Sequence, residues 1–292
     1  MAIVLTLICG YGCASIHLKT DLPISKNEVN QIHELVENKN SSLATRDRDL
    51  FLDQIDMGNN EYVKEQKNWF SSYPDASIKN FKLTVNDIAK RDEKTYVARL
   101  TQSYTFGPKE ETRHITYNET FVRTGSGLRF SDLELQDYRT EHFIIKSMVG
   151  IHPARLIRIG REAETSYDWI LSAYGDAPDD ITIIKVYNDQ KLMNERTGLG
   201  IVREFVGGWY SYPEAIKVYI PKSGISNTSD TIAHELVHKV TLTTTSNLSV
   251  WFAEGLAVYF GDFYVWGGRT YIENKILSVK DHAKQVDWIE AQ

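Results

Sequence analysis

At Tyr73-Pro74-Asp75 the apolar spacing of this chain changes period, and that change limits the folds open to it. Before the break, Ile32, Leu35, Val36 and Leu43, then Leu50, Phe51 and Ile55, recur at the spacing of one helix face. After it, apolar residues alternate: Tyr96, Ala98, Leu100 and Tyr104 fall on one side of a strand, as do Ile115, Tyr117 and Phe121. The spacing predicts helix from Asn27 to Tyr73. It then predicts strands at Ile78 to Asn86, Tyr96 to Phe106, Thr112 to Thr124 and Leu128 to Leu135. Gly107-Pro108 and Gly125-Ser126-Gly127 supply turns. Helices followed by an antiparallel meander define an α+β unit.

As a pattern, this order resembles the nuclear-transport-factor-2-like fold. Nothing in the unit points to catalysis. His114, beside Arg113 and near Glu111, reads as a solvated strand face, and Trp69, Phe70 and Tyr73 read as core.

A length of 292 residues suits two domains. Gln136-Asp137-Tyr138-Arg139-Thr140-Glu141 is the expected linker, which divides the chain into units at 21–137 and 140–292. The second opens with a strand, His142 to Lys146. A helix follows from Pro153 to Tyr174, with Leu156, Ile159, Ala163, Tyr167, Ile170 and Leu171 on its inner side. Next come a strand at Ile181 to Tyr187, a short helix from Asn188 closed at Gly198, a strand or turn at Gly207-Gly208-Trp209, and a strand at Ile216 to Ile220. Gly198-Leu199-Gly200 lacks the third glycine and the helix of a dinucleotide site.

Chemistry concentrates in Asp230-Thr231-Ile232-Ala233-His234-Glu235-Leu236-Val237-His238. On a helix capped near Ser229 or Asp230, His234 and His238 are four apart, so both imidazoles leave one face and can share a metal ion. Glu235, at the edge of that face, reaches a metal-activated water without being a ligand. A third ligand is needed. Trp251-Phe252-Ala253-Glu254-Gly255-Leu256-Ala257-Val258-Tyr259-Phe260 is apolar except for Glu254, and a carboxylate buried on such a helix needs a counter-charge or a metal. An ion pair with Lys239 or Arg269 is the alternative for Glu254. Two imidazoles and a carboxylate leave a fourth tetrahedral position open, the pattern of a catalytic zinc, one per chain. Cobalt and manganese also suit such donors.

His-Glu-Leu-Val-His followed by Trp-Phe-Ala-Glu-Gly-Leu-Ala-Val-Tyr resembles the gluzincin metallopeptidases, particularly the bacterial peptidase MA-like domains, over His142 to Phe260. The resemblance implies that His234, His238 and Glu254 bind zinc and that Glu235 is the general base. It implies an α+β peptidase domain acting on a peptide or protein. In the family, a helical portion after the third ligand supplies a Tyr or His to the oxyanion. Tyr264, Tyr271 and His282 are the residues available here before the chain ends at Gln292, so the expectation is a domain cut short at its C-terminus. A strand edge near Trp209 to Tyr212 is the expected place for substrate backbone.

Both cysteines, Cys9 and Cys13, stand at the start of the chain, so the remainder holds no disulfide and no thiolate metal site. Ala2 to Cys9 is a short apolar run, and Gly12-Cys13-Ala14-Ser15 resembles the end of a bacterial lipoprotein signal. Residues 1–20 are therefore expected to be a signal segment, with the protein exported to the cell surface and tethered by a lipid on Cys13. A net charge of −6 leaves no basic excess for nucleic acid. No run of eighteen apolar residues suggests a membrane span. The reading from another class is a surface-tethered binding protein whose metal site is structural or vestigial. Hydrolysis of a non-peptide amide or ester calls on the same residues.

Overall fold

The computed structural model describes residues 22–73, 78–199, 207–210, 212–221, 228–245 and 247–261. Cys9, Cys13, Tyr264, Arg269, Tyr271 and His282 lie outside the described residues. The architecture is α+β, with helices packed against one antiparallel and one mixed sheet.

The helical stretch resolves into α1 (Lys26–Thr45), α2 (Arg48–Asp53) and α3 (Asn60–Ser72), each opened by a polar cap. Ser25 and Glu28 cap α1 reciprocally, and the Asp47 and Asn59 side chains accept from the first turns of α2 and α3. Four antiparallel strands follow in the order β1 (Ile78–Lys90), β2 (Thr95–Phe106), β3 (Glu111–Thr124) and β4 (Gly127–Leu133). The alternation in β2 holds, with Tyr96, Ala98, Leu100 and Tyr104 all buried. Ile32 and Val36 of α1 and Tyr62 of α3 close the core against Leu100, Phe121 and Phe130. Trp69, Phe70 and Tyr73 are buried beside Phe51 and Tyr104, as core.

The second sheet has the order β5-β6-β7-β9-β8, from β5 (Leu135–Arg139), β6 (Phe143–Met148), β7 (Thr182–Tyr187), β8 (Gly208–Tyr210) and β9 (Ile216–Tyr219). β6, β7 and β9 are parallel, and β5 and β8 run antiparallel at the two edges. Its helices are α4 (Pro153–Tyr174), α5 (Gln190–Thr197), α6 (Thr228–Thr244) and α7 (Val250–Gly261). α4 starts on a first-position proline and stops at Gly175 in the left-handed region, as its sequence dictates. Leu156, Ile159, Ala163 and Ile170 of α4, Ile184 and Val186 of β7, Ile216 and Val218 of β9, and Ile232, Leu236 and Val240 of α6 form one core. Among the described residues no helix is long and apolar enough to cross a membrane.

Two expectations are corrected. Gln136 to Glu141 is not a linker: most of it is edge strand β5, paired with β6 from Leu135↔Met148 to Arg139↔Ile144, with Tyr138 turned into the core. An edge strand keeps one face in water, so its polar residues pass for a connector. Leu171 is exposed rather than on the inner side of α4, because the buried stripe passes through Ile170.

The other face of β7 and β9 meets the first unit, and there the packing is ionic. Lys185 of β7 and Lys217 of β9 are register partners, both essentially without solvent contact. Glu65 of α3 takes Lys185 at 2.9 Å, Lys217 at 3.6 Å and Arg196 of α5 at 2.6 Å. Asp132 of β4 takes Lys185 at 2.6 Å, and Glu119 of β3 takes Arg196 at 3.3 Å. Burial alone raises a carboxyl's pKa, yet Arg196, Lys185 and Lys217 together hold Glu65 well below the usual carboxylate range. Each unit neutralises charges that the other buries.

Candidate metal centre

α6 lies on the second sheet with its apolar residues inward, which turns His234 and His238 away from the core. Their Nε2 atoms are 3.2 Å apart. α7 brings Glu254 across, with Oε2 3.4 Å from His234 Nε2 and Oε1 3.6 Å from His238 Nε2. All three ligand atoms lie within 4.8 Å of one another. Ligands about 2.0–2.1 Å from a tetrahedral zinc stand roughly 3.3 Å apart. The two imidazole nitrogens stand at that spacing, and each has a different oxygen of Glu254 within 3.6 Å, so two imidazoles and a carboxylate fit zinc in donor type and lie close enough to share one ion.

The hydroxyls of Thr241, Thr243 and Thr244 bond back to carbonyls three and four residues earlier and close the last turns of α6. The amides of Phe252 and Ala253 then donate to the Ser249 carbonyl and start α7. Only the small residues Ala253, Ala257 and Gly261 of α7 are buried, whereas Val250 and Trp251 are 78% and 76% exposed.

The expected burial of Glu254 is corrected by this arrangement: its side chain is 55% exposed. An apolar run does not bury every residue in it: α7 buries Ala253, Ala257 and Gly261, packs Leu256 and Phe260 partly against the core, and leaves Val250, Trp251, Phe252 and Val258 exposed. The alternative partner Lys239 is engaged elsewhere, donating to Asp180 at 2.7 Å and to Thr182 at 2.9 Å. Glu254 faces the two histidines.

Glu235 is buried next to this cluster, and its Oε2 accepts the Tyr210 backbone N–H at 2.7 Å. Burial pushes its carboxyl up to about 7, with His234 and the Tyr210 amide pulling the other way and Glu254 adding to the rise. Burial, and then the neighbouring His234, lower His238, which favours the neutral imidazole that ligates metal. β8, which supplies the Tyr210 amide, is an edge strand of this sheet and takes in Trp209 and Tyr210 of the expected Trp209 to Tyr212 edge. Sequence reasoning did not find the Tyr210 amide or Gly261 as parts of the site. Gly207-Gly208 was the available signal for the first: a Cβ on Gly208 falls 2.3 Å from Thr231 Cγ2, so glycine lets β8 lie close on α6.

Comparison with protein-family models, curated proteins and solved structures returns no match to this chain. The functional reading stands on the site's own chemistry.

Proposed function

We propose that the protein is a zinc-dependent peptidase of gluzincin type, with His234, His238 and Glu254 as ligands and Glu235 as general base. One observation carries the reading: two imidazoles and a carboxylate, their ligand atoms within 4.8 Å of one another, stand beside a buried carboxylate that no ligand set requires. A structural site has no use for that second carboxylate.

Zinc held there supplies Lewis acidity, acidifying water and polarising a carbonyl. The protein supplies the proton path. The Tyr210 amide fixes Oε2 of Glu235, which leaves Oε1 to take a proton from the attacking water. The water oxygen joins the carbonyl carbon, the C–N bond breaks, and Glu235 returns the proton to the leaving nitrogen. Its burial favours the protonated carboxyl that exists between those two transfers. An extended substrate backbone pairs along the outer edge of β8. Export and a lipid on Cys13 belong to the same proposal and rest on the opening sequence alone.

The test is Glu235→Gln assayed on a peptide library beside the wild type, with zinc content measured in both. Retained zinc with lost hydrolysis supports the reading. Equal hydrolysis by the two proteins overturns it.

A further inference from the structure

We propose that Gly261 is a positioning residue: by letting α7 rest on the main chain of His234, it sets where Glu254 stands. The inference rests on the zinc reading above and assigns the cause of the third ligand's placement.

A Cβ at Gly261 falls 2.6 Å from His234 Cα, 2.7 Å from its N and 3.1 Å from its Cβ. The two nearest belong to the backbone of α6 and the third is the Cβ fixed to it, so none can swing aside as the end of a side chain does. No left-handed φ accounts for the glycine, because Gly261 is absent from the positive-φ positions. Space accounts for it. Glu254, Ala257 and Gly261 succeed one another at helical spacing on one side of α7, and Ala257 is fully buried. Trp169 Nε1 donates to the Phe260 carbonyl at 2.7 Å and fastens this end of α7 to α4. The helix is thus held down beside the glycine, and Glu254 is carried on the same rigid element.

A methyl group at position 261 drives the helices apart by about 0.8 Å, the shortfall between 2.6 Å and the 3.4 Å at which ordinary contact begins. Metal–ligand distances tolerate about 0.2 Å. Glu254 can absorb part of the displacement through its own torsions, so affinity drops without vanishing. Gly255 is the internal control: a Cβ there meets nothing within 4 Å, although it neighbours the ligand.

The experiment measures zinc affinity of the full chain by competition with a chelator, for Gly261→Ala, Gly255→Ala, Glu254→Ala and the Gly261→Ala/Glu254→Ala double variant. Gly261→Ala is expected to weaken zinc binding on the order of tenfold or more, and Gly255→Ala to leave it unchanged. With Glu254 already removed, Gly261→Ala is expected to add no further loss, which separates positioning of the ligand from damage to α6. Equal affinity of Gly261→Ala and wild type, or a full additional loss in the double variant, overturns the inference while the zinc reading stands. A wild type that binds no zinc overturns both. If Gly261→Ala does not fold, Ala257→Ser applies a smaller wedge at the same interface. It is expected to lose several-fold in affinity, and an unchanged value overturns the inference.

Discussion

The backbone N–H of Tyr210 donates to Oε2 of Glu235 at 2.7 Å, tying the carboxylate of α6 to edge strand β8. Glu235 therefore has one oxygen committed to the scaffold, and the proposed mechanism assigns proton transfer to the other. The substitution Glu235→Gln keeps an acceptor for the Tyr210 amide and removes the ability to take a proton. Hydrolysis is expected to fall about 10²–10⁴-fold with zinc content unchanged. Steady-state kinetics on a cleavable peptide, alongside elemental analysis, checks both halves. A fall below threefold removes Glu235 from the general-base role.

Glu65 sits between three cations contributed by the second unit, Lys185, Lys217 and Arg196. Removing one partner of a buried ionic cluster leaves charge without compensation, at a cost of about 3–5 kcal/mol. Glu65→Ala is expected to lose that much in urea unfolding at neutral pH. Lys79→Ala, which breaks the exposed pair with Glu110, is expected to leave the midpoint where it was. If the two variants are equally stable, the ionic contact between the units is not what holds them together.

Lys39 is buried with its Nζ 4.4 Å from the ring centre of Phe130 and 3.1 Å from Gln66 Oε1. Burial lowers its pKa from 10.5 to about 8, against the pull of Glu119. Between those two values the unfolded chain binds more protons than the folded one, so this residue's contribution to stability rises with pH across that window. Below pH 8 the charged side chain costs on the order of 3 kcal/mol. Lys39→Met is expected to be more stable than wild type at pH 7, and its advantage to shrink steadily from pH 8 to 10.5. Denaturant unfolding of both proteins across that range supplies the test. A difference that does not change with pH contradicts the assignment.

Some of this was legible in the chain, and the misses have physical causes. Pro153 and Gly175 mark the ends of α4 because each matches what a helix terminus requires. The His234–His238 pair was equally plain, since helical spacing alone places both rings on one face. Glu254 was read as a ligand for an incomplete reason: it was expected to be buried, and it is half-exposed. Hydropathy records how apolar a segment is and not which side faces the protein. Lys185 and Lys217 escaped notice because a lysine in a Val/Ile-rich strand reads as a solvent-facing position. Here both faces of β7 and β9 are covered; the carboxylates that answer Lys185, Glu65 and Asp132, lie far away in sequence, and Lys217 has Glu65 at 3.6 Å besides Glu214 three residues before it at 3.4 Å. β5 was mistaken for a linker because only Tyr138 among its five residues is fully buried.

The most direct measurement is zinc per chain by elemental analysis of purified protein, wild type beside His238→Ala. The site geometry predicts about one zinc per chain in the wild type and its loss in the variant, because removing one of three donors leaves only His234 and Glu254. Zinc absent from both proteins after incubation with excess metal, or retained equally by both, contradicts a metal centre on His234, His238 and Glu254.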